Sequence, residues 1–250
     1  MSKKPLTRDE QFLAKAAGDD VPMPKPLTRV QEFLERIVER LSGSVTEETL
    51  SNAIAPLNAS IAQLSRKTIQ FRHGKGTFTA TANGTNVVWQ YGGQQVQGGS
   101  CTFDVKSDNG LITLECDTIE SLTIKNDTTN KMDLSDLGGK IASVLSLESC
   151  PNITGDLSDL GSKIASMLNL GYCSNITGVY SGTKYPKTFA VSKTAITSAN
   201  MDANLINFAA SGVKSGTFTA TGMKRTAASD NAVATLVTNG WTVSGLTKEG

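Results

Sequence analysis

The chain has 250 residues, with 24 Lys and Arg against 23 Asp and Glu and a single His, for a formal net charge of +1. The charges are mixed along its length. No basic surplus points to nucleic acid, no run of like charge forms a tail, and no apolar stretch nears the ~18 residues of a membrane span. Aromatics are only 6% while Gly, Ser, Thr and Asn abound, which suits a β-rich, turn-rich protein with narrow cores.

Residues 1–41 contain a duplication. KPLTRDEQFLAK begins at Lys4 and KPLTRVQEFLER at Lys25. Thr7 with Glu10, and Thr28 with Gln31, are capping boxes, and Pro5 and Pro26 precede them where no backbone donor is needed. The pattern predicts two helices, Arg8 to Ala17 and Arg29 to Leu41, too small to hold a core alone. Their apolar faces need another subunit or a larger particle, and the docking residues expected are Leu6, Arg8, Phe12, Leu13, Leu27, Arg29, Phe33 and Leu34. The start, MSKKPLTRDEQ, has lysines but no apolar segment behind them, so no secretory signal is expected.

Residues 42–67 predict a short coiled coil for oligomerisation. Leu50, Ile54, Leu57, Ile61 and Leu64 step by 4, 3, 4, 3, a heptad seam after the Ser44–Glu47 capping box. Pro56 interrupts that helix, and so few turns leave dimer and trimer both open.

Over residues 68–116 the period changes to two. Alternating segments around Phe71, Phe78, Trp89, Phe103 and Ile112 are separated by Gly- and Asn-rich turns. This predicts a small antiparallel sandwich with Trp89 anchoring its core, and the module resembles an Ig or PKD domain.

Residues 117–250 hold a second repeat. Asp133 to Gly155 reads DLSDLGGKIASVLSLESCPNITG and Asp156 to Gly178 reads DLSDLGSKIASMLNLGYCSNITG. A period in the 20–50 range marks a stacked-repeat architecture. Strands are predicted at Leu122 and Ile124, Leu145 and Leu147, and Leu168 and Leu170. Leu134, Leu137 and Ile141, and their copies Leu157, Leu160 and Ile164, have helical spacing, with Asp133 or Asp136 as a cap. L-x-L-x-x-C-x-x-I followed by such a segment resembles a cysteine-type leucine-rich repeat. That resemblance implies an α/β solenoid of about six rungs, continuing through Phe189, Phe218 and Trp241 with helices near 202–211 and 230–238. The expected fold is multi-domain α+β: N-terminal helices and coiled coil, antiparallel sandwich, and C-terminal leucine-rich-repeat solenoid.

Candidate chemistry is sparse. His73, in Arg-His-Gly-Lys-Gly, reads as a turn residue, and nothing near it marks a nucleophile. Cys150 and Cys173 share a repeat position and predict a buried thiol ladder. Cys101 and Cys116 read as cross-strand neighbours, reduced in the absence of an export signal. No cysteine pair has zinc spacing. Asp133, Asp136, Asp156 and Asp159 are read as helix caps rather than metal ligands. No cofactor, metal site or catalytic constellation is expected, and the chain is not expected to be an enzyme. What remains is surface: Thr123, Lys125, Ser146, Glu148 and Asn169 point out between the inward leucines, with Tyr172 close by. This polar row suits weak, multivalent contact, for example with carbohydrate, or a passive spacer.

The order of modules, from the tandem KPLTR starts to the sandwich and repeats, resembles virion fibre proteins of tailed bacteriophages, of head-fibre or tail-fibre type. The resemblance implies a homotrimeric structural subunit on the virion surface. Its N-terminus would hold a capsid or tail protein and its C-terminal part would face host-surface carbohydrate or protein. The competing expectation is a cellular leucine-rich-repeat adhesin or interaction module. Neither reading involves nucleic acid or membrane insertion.

Overall fold

The computed structural model describes residues 66–161 and 164–249, and in the preceding segment residues 51, 52, 55 and 56. The chain divides into two compact units, Met1–Arg66 and Lys67–Gly250. The docking residues expected between Leu6 and Leu34, and the seam residues Leu50, Ile54, Leu57, Ile61 and Leu64, lie outside the described residues.

The second unit begins with seven strands, β1 (Lys67–His73), β2 (Gly76–Thr85), β3 (Val88–Tyr91), β4 (Gln94–Gln97), β5 (Ser100–Val105), β6 (Gly110–Cys116) and β7 (Thr118–Thr123), of which β1, β2, β5 and β6 alternate more and less buried side chains over most of their length. β1, β6, β3 and β4 form one antiparallel sheet. Its inner face packs Ile69, Phe71, Trp89, Ile112 and Leu114 against Phe78 and Phe103 of β2 and β5. Trp89 is fully buried, its ring centroid 6.0 Å from Phe71 and 6.2 Å from Phe78.

The layer containing β2 and β5 does not stop there. Through β7 it continues into β9 (Ile141–Ser146), β11 (Met167–Asn169), β13 (Thr188–Ala190), β14 (Thr217–Arg225) and β15 (Thr242–Lys248), one sheet of eight strands. β2 pairs antiparallel with β5 and β7, whereas every pair from β7 to β15 is parallel. The inward side chains form a single ladder, Leu122, Leu145, Leu168, Phe189, Phe218 and Val243, each opposite the next. A sandwich separate from a solenoid is therefore not the architecture. Antiparallel β2 and β5 are the first rungs of the sheet that the repeats extend.

The α/β solenoid expectation also needs correction. In each sequence repeat the segment expected to be a helix is a four-residue 3-10 turn, Leu134–Leu137 and Leu157–Leu160. Asp133 and Asp156 cap these turns through full capping boxes. The spacing of three that suggested an α-helix also places both leucines inward in a 3-10 turn. Gly138 and Gly139 follow at once, Gly139 with φ of +63°, so no second turn forms. Ile141 then starts β9. Ile153 and Ile176, expected as trailing aliphatics, lie on strands of a second parallel sheet: β8 (Met132–Asp133), β10 (Ile153–Asp156) and β12 (Asn175–Thr177). The coils through β8–β12 are thus strand on both sides. Two α-helices occur among the described residues from 66 onward: α1 (Ser198–Ala210), which begins four residues before the expected start, and α2 (Asp230–Thr238).

Packing changes along the stack accordingly. The early rungs are aliphatic. The later ones interleave Phe189 and Phe218 (4.8 Å between rings) with Phe208 of α1, which meets Trp241 edge-on at 5.6 Å. Between coils, Cys150 Sγ donates to Ile124 O at 3.6 Å and Cys173 Sγ to Leu147 O at 2.8 Å. Cys101 and Cys116 are not cross-strand neighbours: Cys101 sits on β5 opposite Ala80, and Cys116 on β6 opposite Lys67. All four thiols are buried, and none is in a disulfide.

Polar ladders tie the same coils together at the surface. Thr154 Oγ1 donates to Asp133 Oδ2 at 2.8 Å, and Thr177 Oγ1 repeats the contact to Asp156 Oδ2 at 3.3 Å. Gly178 lies against that second aspartate: a Cβ there would fall 1.9 Å from its carboxylate oxygens, and φ is +84°. Gly178→Ala is expected to destabilise the chain by about 2–3 kcal/mol through the clash and the strained backbone. Leu168→Ala, which empties a rung, is expected to cost about 3 kcal/mol. Urea unfolding of the full chain measures both.

Candidate functional site

The expected outward row lies on the parallel sheet. Thr123, Ser146 and Asn169 are direct partners on β7, β9 and β11. Lys125 and Glu148 follow two residues on, where Lys125 Nζ lies 3.3 Å from Glu148 Oε2. Asn169 Nδ2 donates to the same oxygen at 3.3 Å, while Asn169 Oδ1 accepts from Gly171 N at 3.1 Å. Lys125, Glu148 and Asn169 therefore form one network across three coils. The exception is Ser146: only 3% exposed, with no hydrogen-bond partner for its hydroxyl, it is a packing position rather than a contact residue.

Extending the pairing shows how long this row is. Ser100, Thr81, Thr123, Ser146, Asn169, Ala190, Thr219 and Ser244 are successive partners across all eight strands. At about 4.8 Å per strand the row runs roughly 34 Å. A sequence signal for its extent exists: GTFTAT occurs at 76–81 and again at 216–221, on β2 and β14, near the two ends of the sheet.

Tyr172 stands at the rim, 52% exposed, with φ of +63°. The conformation belongs to the coil rather than to the residue. Asn126, Ser149 and Lys193 occupy the same corner with φ of 55°, 59° and 55°. Each donates its amide to the next coil: Asn126 N to Glu148 O, Ser149 N to Gly171 O, Tyr172 N to Ser192 O and Lys193 N to Thr221 O. Asn accepts this left-handed geometry readily, whereas a bulky Tyr is strained in it.

His73 is not in a turn. It ends β1, 2% exposed, its ring edge-on to Phe78 at 5.4 Å. Its Nε2 lies 2.8 Å from Thr129 Oγ1 and 3.2 Å from Asp127 Oδ2, and its Nδ1 2.5 Å from Gly74 O. Asp127 Oδ1 accepts from Thr129 N, Thr129 Oγ1 and Asn130 N. A hydroxyl, a histidine and a carboxylate thus meet here, and sequence reasoning missed it because Asp127 and Thr129 lie more than 50 residues away. A triad needs the hydroxyl and the acid on opposite ring nitrogens. Here both face Nε2 while Nδ1 faces a carbonyl, so this cluster ties the 126–131 loop to β1 and has no triad geometry.

Among the described residues no group of three His, Cys, Asp or Glu is placed to hold a metal ion. Burial pushes the Cys150 thiol up to about 12 and Cys173 up to about 11, far from reactive thiolates. Asp202 on α1 is different. Burial alone would raise its carboxyl. Hydrogen bonds from Ser229 Oγ (2.5 Å), Thr226 Oγ1 (2.6 Å) and Thr226 N (3.0 Å), with Arg225 nearby, outweigh that and hold it below the usual range. Asp133 is lowered by the Ser135 hydroxyl and amide. In Asp156, burial is outweighed by the Ser158 and Thr177 bonds. These groups join coils rather than face a ligand.

Comparison with protein-family models, with curated proteins and with solved structures yields no match.

Two outcomes follow from these groups. A carboxylate whose folded value is depressed adds stability that is present above its unfolded value, about 3.9, and lost as pH falls through the folded value. Thermal melting from pH 7 to pH 2 is expected to show a steep acid limb, shallower in Asp202→Asn, which at neutral pH is less stable by about 2 kcal/mol. Tyr172→Asn, with a residue suited to the corner, is expected to raise stability by about 0.5 kcal/mol in urea unfolding.

Proposed function

We propose that this chain is a structural subunit of a bacteriophage virion fibre, held to the capsid or tail by residues 1–41 and carrying the body from Lys67 onward outward, toward the host or its surroundings. The observation that carries the reading is the pairing of two unlike halves. A tandemly duplicated KPLTR segment stands at the front, and behind it an open stack of coils presents a polar row about eight strands long. Repeated segments suit repeated contacts on a particle. The outward face, poor in the Trp, Tyr and Arg that anchor tight interfaces, suits weak binding made useful by many copies. In this reading the subunit is a homotrimer on the virion surface, and Lys125, Glu148, Asn169 and Tyr172 are the residues of the coil face that meet a host glycan or protein.

Two measurements test the reading. Light scattering on the intact protein is expected to give three times 26.4 kDa, and a monomer at micromolar concentration overturns it. Deleting residues 1–41 is expected to leave a soluble protein that no longer joins particles. Particles that still incorporate the truncated chain refute the docking role.

A further inference from the structure

The second sheet carries a site independent of the fibre reading. At its edge, Arg72 of β1 and Lys131 exchange backbone hydrogen bonds, Arg72 N to Lys131 O at 3.0 Å and Lys131 N to Arg72 O at 2.6 Å. β1 therefore borders the floor made by β8, β10 and β12. Over it lies a groove of about 520 Å³. Gln70 and Arg72 project into it from β1, and Lys131, Asp133, Asp136, Asn152, Thr154 and Asn175 line it from the coils. The volume is in the range of small-ligand sites, but the lining residues are polar apart from Met132.

The useful question is which polar atoms are already committed. Asp133 Oδ1 accepts from Ser135 N and Oγ, and Oδ2 from Thr154 Oγ1. Asp136 Oδ2 is turned back to Asp133 N at 3.4 Å. Asn152 Nδ2 donates to Thr128 O, and Asn175 Nδ2 to Pro151 O at 2.7 Å. Among the described residues, the Arg72 guanidinium, the Lys131 ammonium and the Gln70 amide have no hydrogen-bond or ion-pair partner, and the two asparagine Oδ1 atoms accept from nothing. The uncommitted set is thus two cations and an amide beside two neutral acceptors and one carboxylate oxygen, Oδ1 of Asp136. The two acceptors hold the same position in successive repeats, and Asn175 lies opposite Thr154, two residues on from Asn152.

We propose that this groove binds a carboxylate-bearing glycan, with Arg72 and Lys131 taking the carboxylate and Asn152 and Asn175 accepting from ring hydroxyls. Arg presents a planar fork suited to a carboxylate, and Lys adds a point charge. The asparagines are held rigid by the backbone carbonyls they bond, so their acceptors are preorganised.

The test is calorimetric titration of the full chain with tetragalacturonate, a hyaluronan tetrasaccharide and sialyllactose, against maltotetraose, lactose and inorganic phosphate. At least one acidic sugar is expected to bind saturably, at least about tenfold tighter than its neutral counterpart and than phosphate. The variant R72Q/K131Q, whose replaced side chains are exposed, is expected to melt like the parent and to bind roughly tenfold to a hundredfold more weakly. R72Q and K131Q singly are expected to fall between and stand in if the double variant misfolds. The proposal is overturned if none of the acidic sugars binds, if neutral sugars bind equally, if phosphate matches them, or if the variants bind like the parent. Phage assembly and subunit stoichiometry do not enter these readouts, so failure here leaves the fibre reading standing, and the reverse.

Discussion

The register of the parallel strands governs the rest of the second unit. Leu122, Leu145, Leu168, Phe189, Phe218 and Val243 meet as direct partners, and their neighbours one residue away therefore all face outward. Side chains alternate along a strand, so a slip of one residue would drive Thr123, Asn169 and Thr219 into the core and expose the leucines. The apolar ladder is thus what holds the polar row in line. The Lys125–Glu148–Asn169 network inherits its spacing from that pairing.

The same constraint explains why the coils tolerate such different contents. Backbone pairing repeats at every rung, while the width of the interior is set locally. Where two sheets and a 3-10 turn close the coil, leucine, isoleucine and cysteine fill it. Where α1 and α2 take the place of the second sheet, Phe189, Phe208, Phe218 and Trp241 fill the wider space. The switch falls near Tyr180, a fully buried residue whose hydroxyl reaches Ile164 O and Lys184 O, so the change of coil type is itself hydrogen-bonded rather than left open.

Much of the candidate face was legible before the structure, because it follows from a repeat and a period of two. Lys125, Glu148 and Asn169 are where alternation puts them, and Tyr172 is exposed by the corner that follows the strand. Ser146 is the exception, since alternation gives direction and not exposure. The His73–Asp127–Thr129 cluster and the groove beside Arg72 were not legible. Each joins residues from β1 with residues more than 50 positions later, and no local pattern records which loop returns to which strand edge. Asn152 and Asn175 did stand out as repeat positions, but the sequence alone does not show that their amide donors are committed and their acceptors are not.

By itself the chain determined its repeat length, the inward positions of each rung, the capping aspartates and the sites of the two helices' ends, because all of these are written in short-range spacing and in glycine placement. Tertiary structure decided that the intervening segments are 3-10 turns and strands instead of helices, that antiparallel β2 and β5 belong to the same sheet as the repeats, and which polar groups are left without partners. Those outcomes depend on pairing between distant strands. A spacing of three or four fits a short helix, and fits equally a single tight turn followed by a strand, until a neighbouring coil supplies the backbone partners that favour the strand.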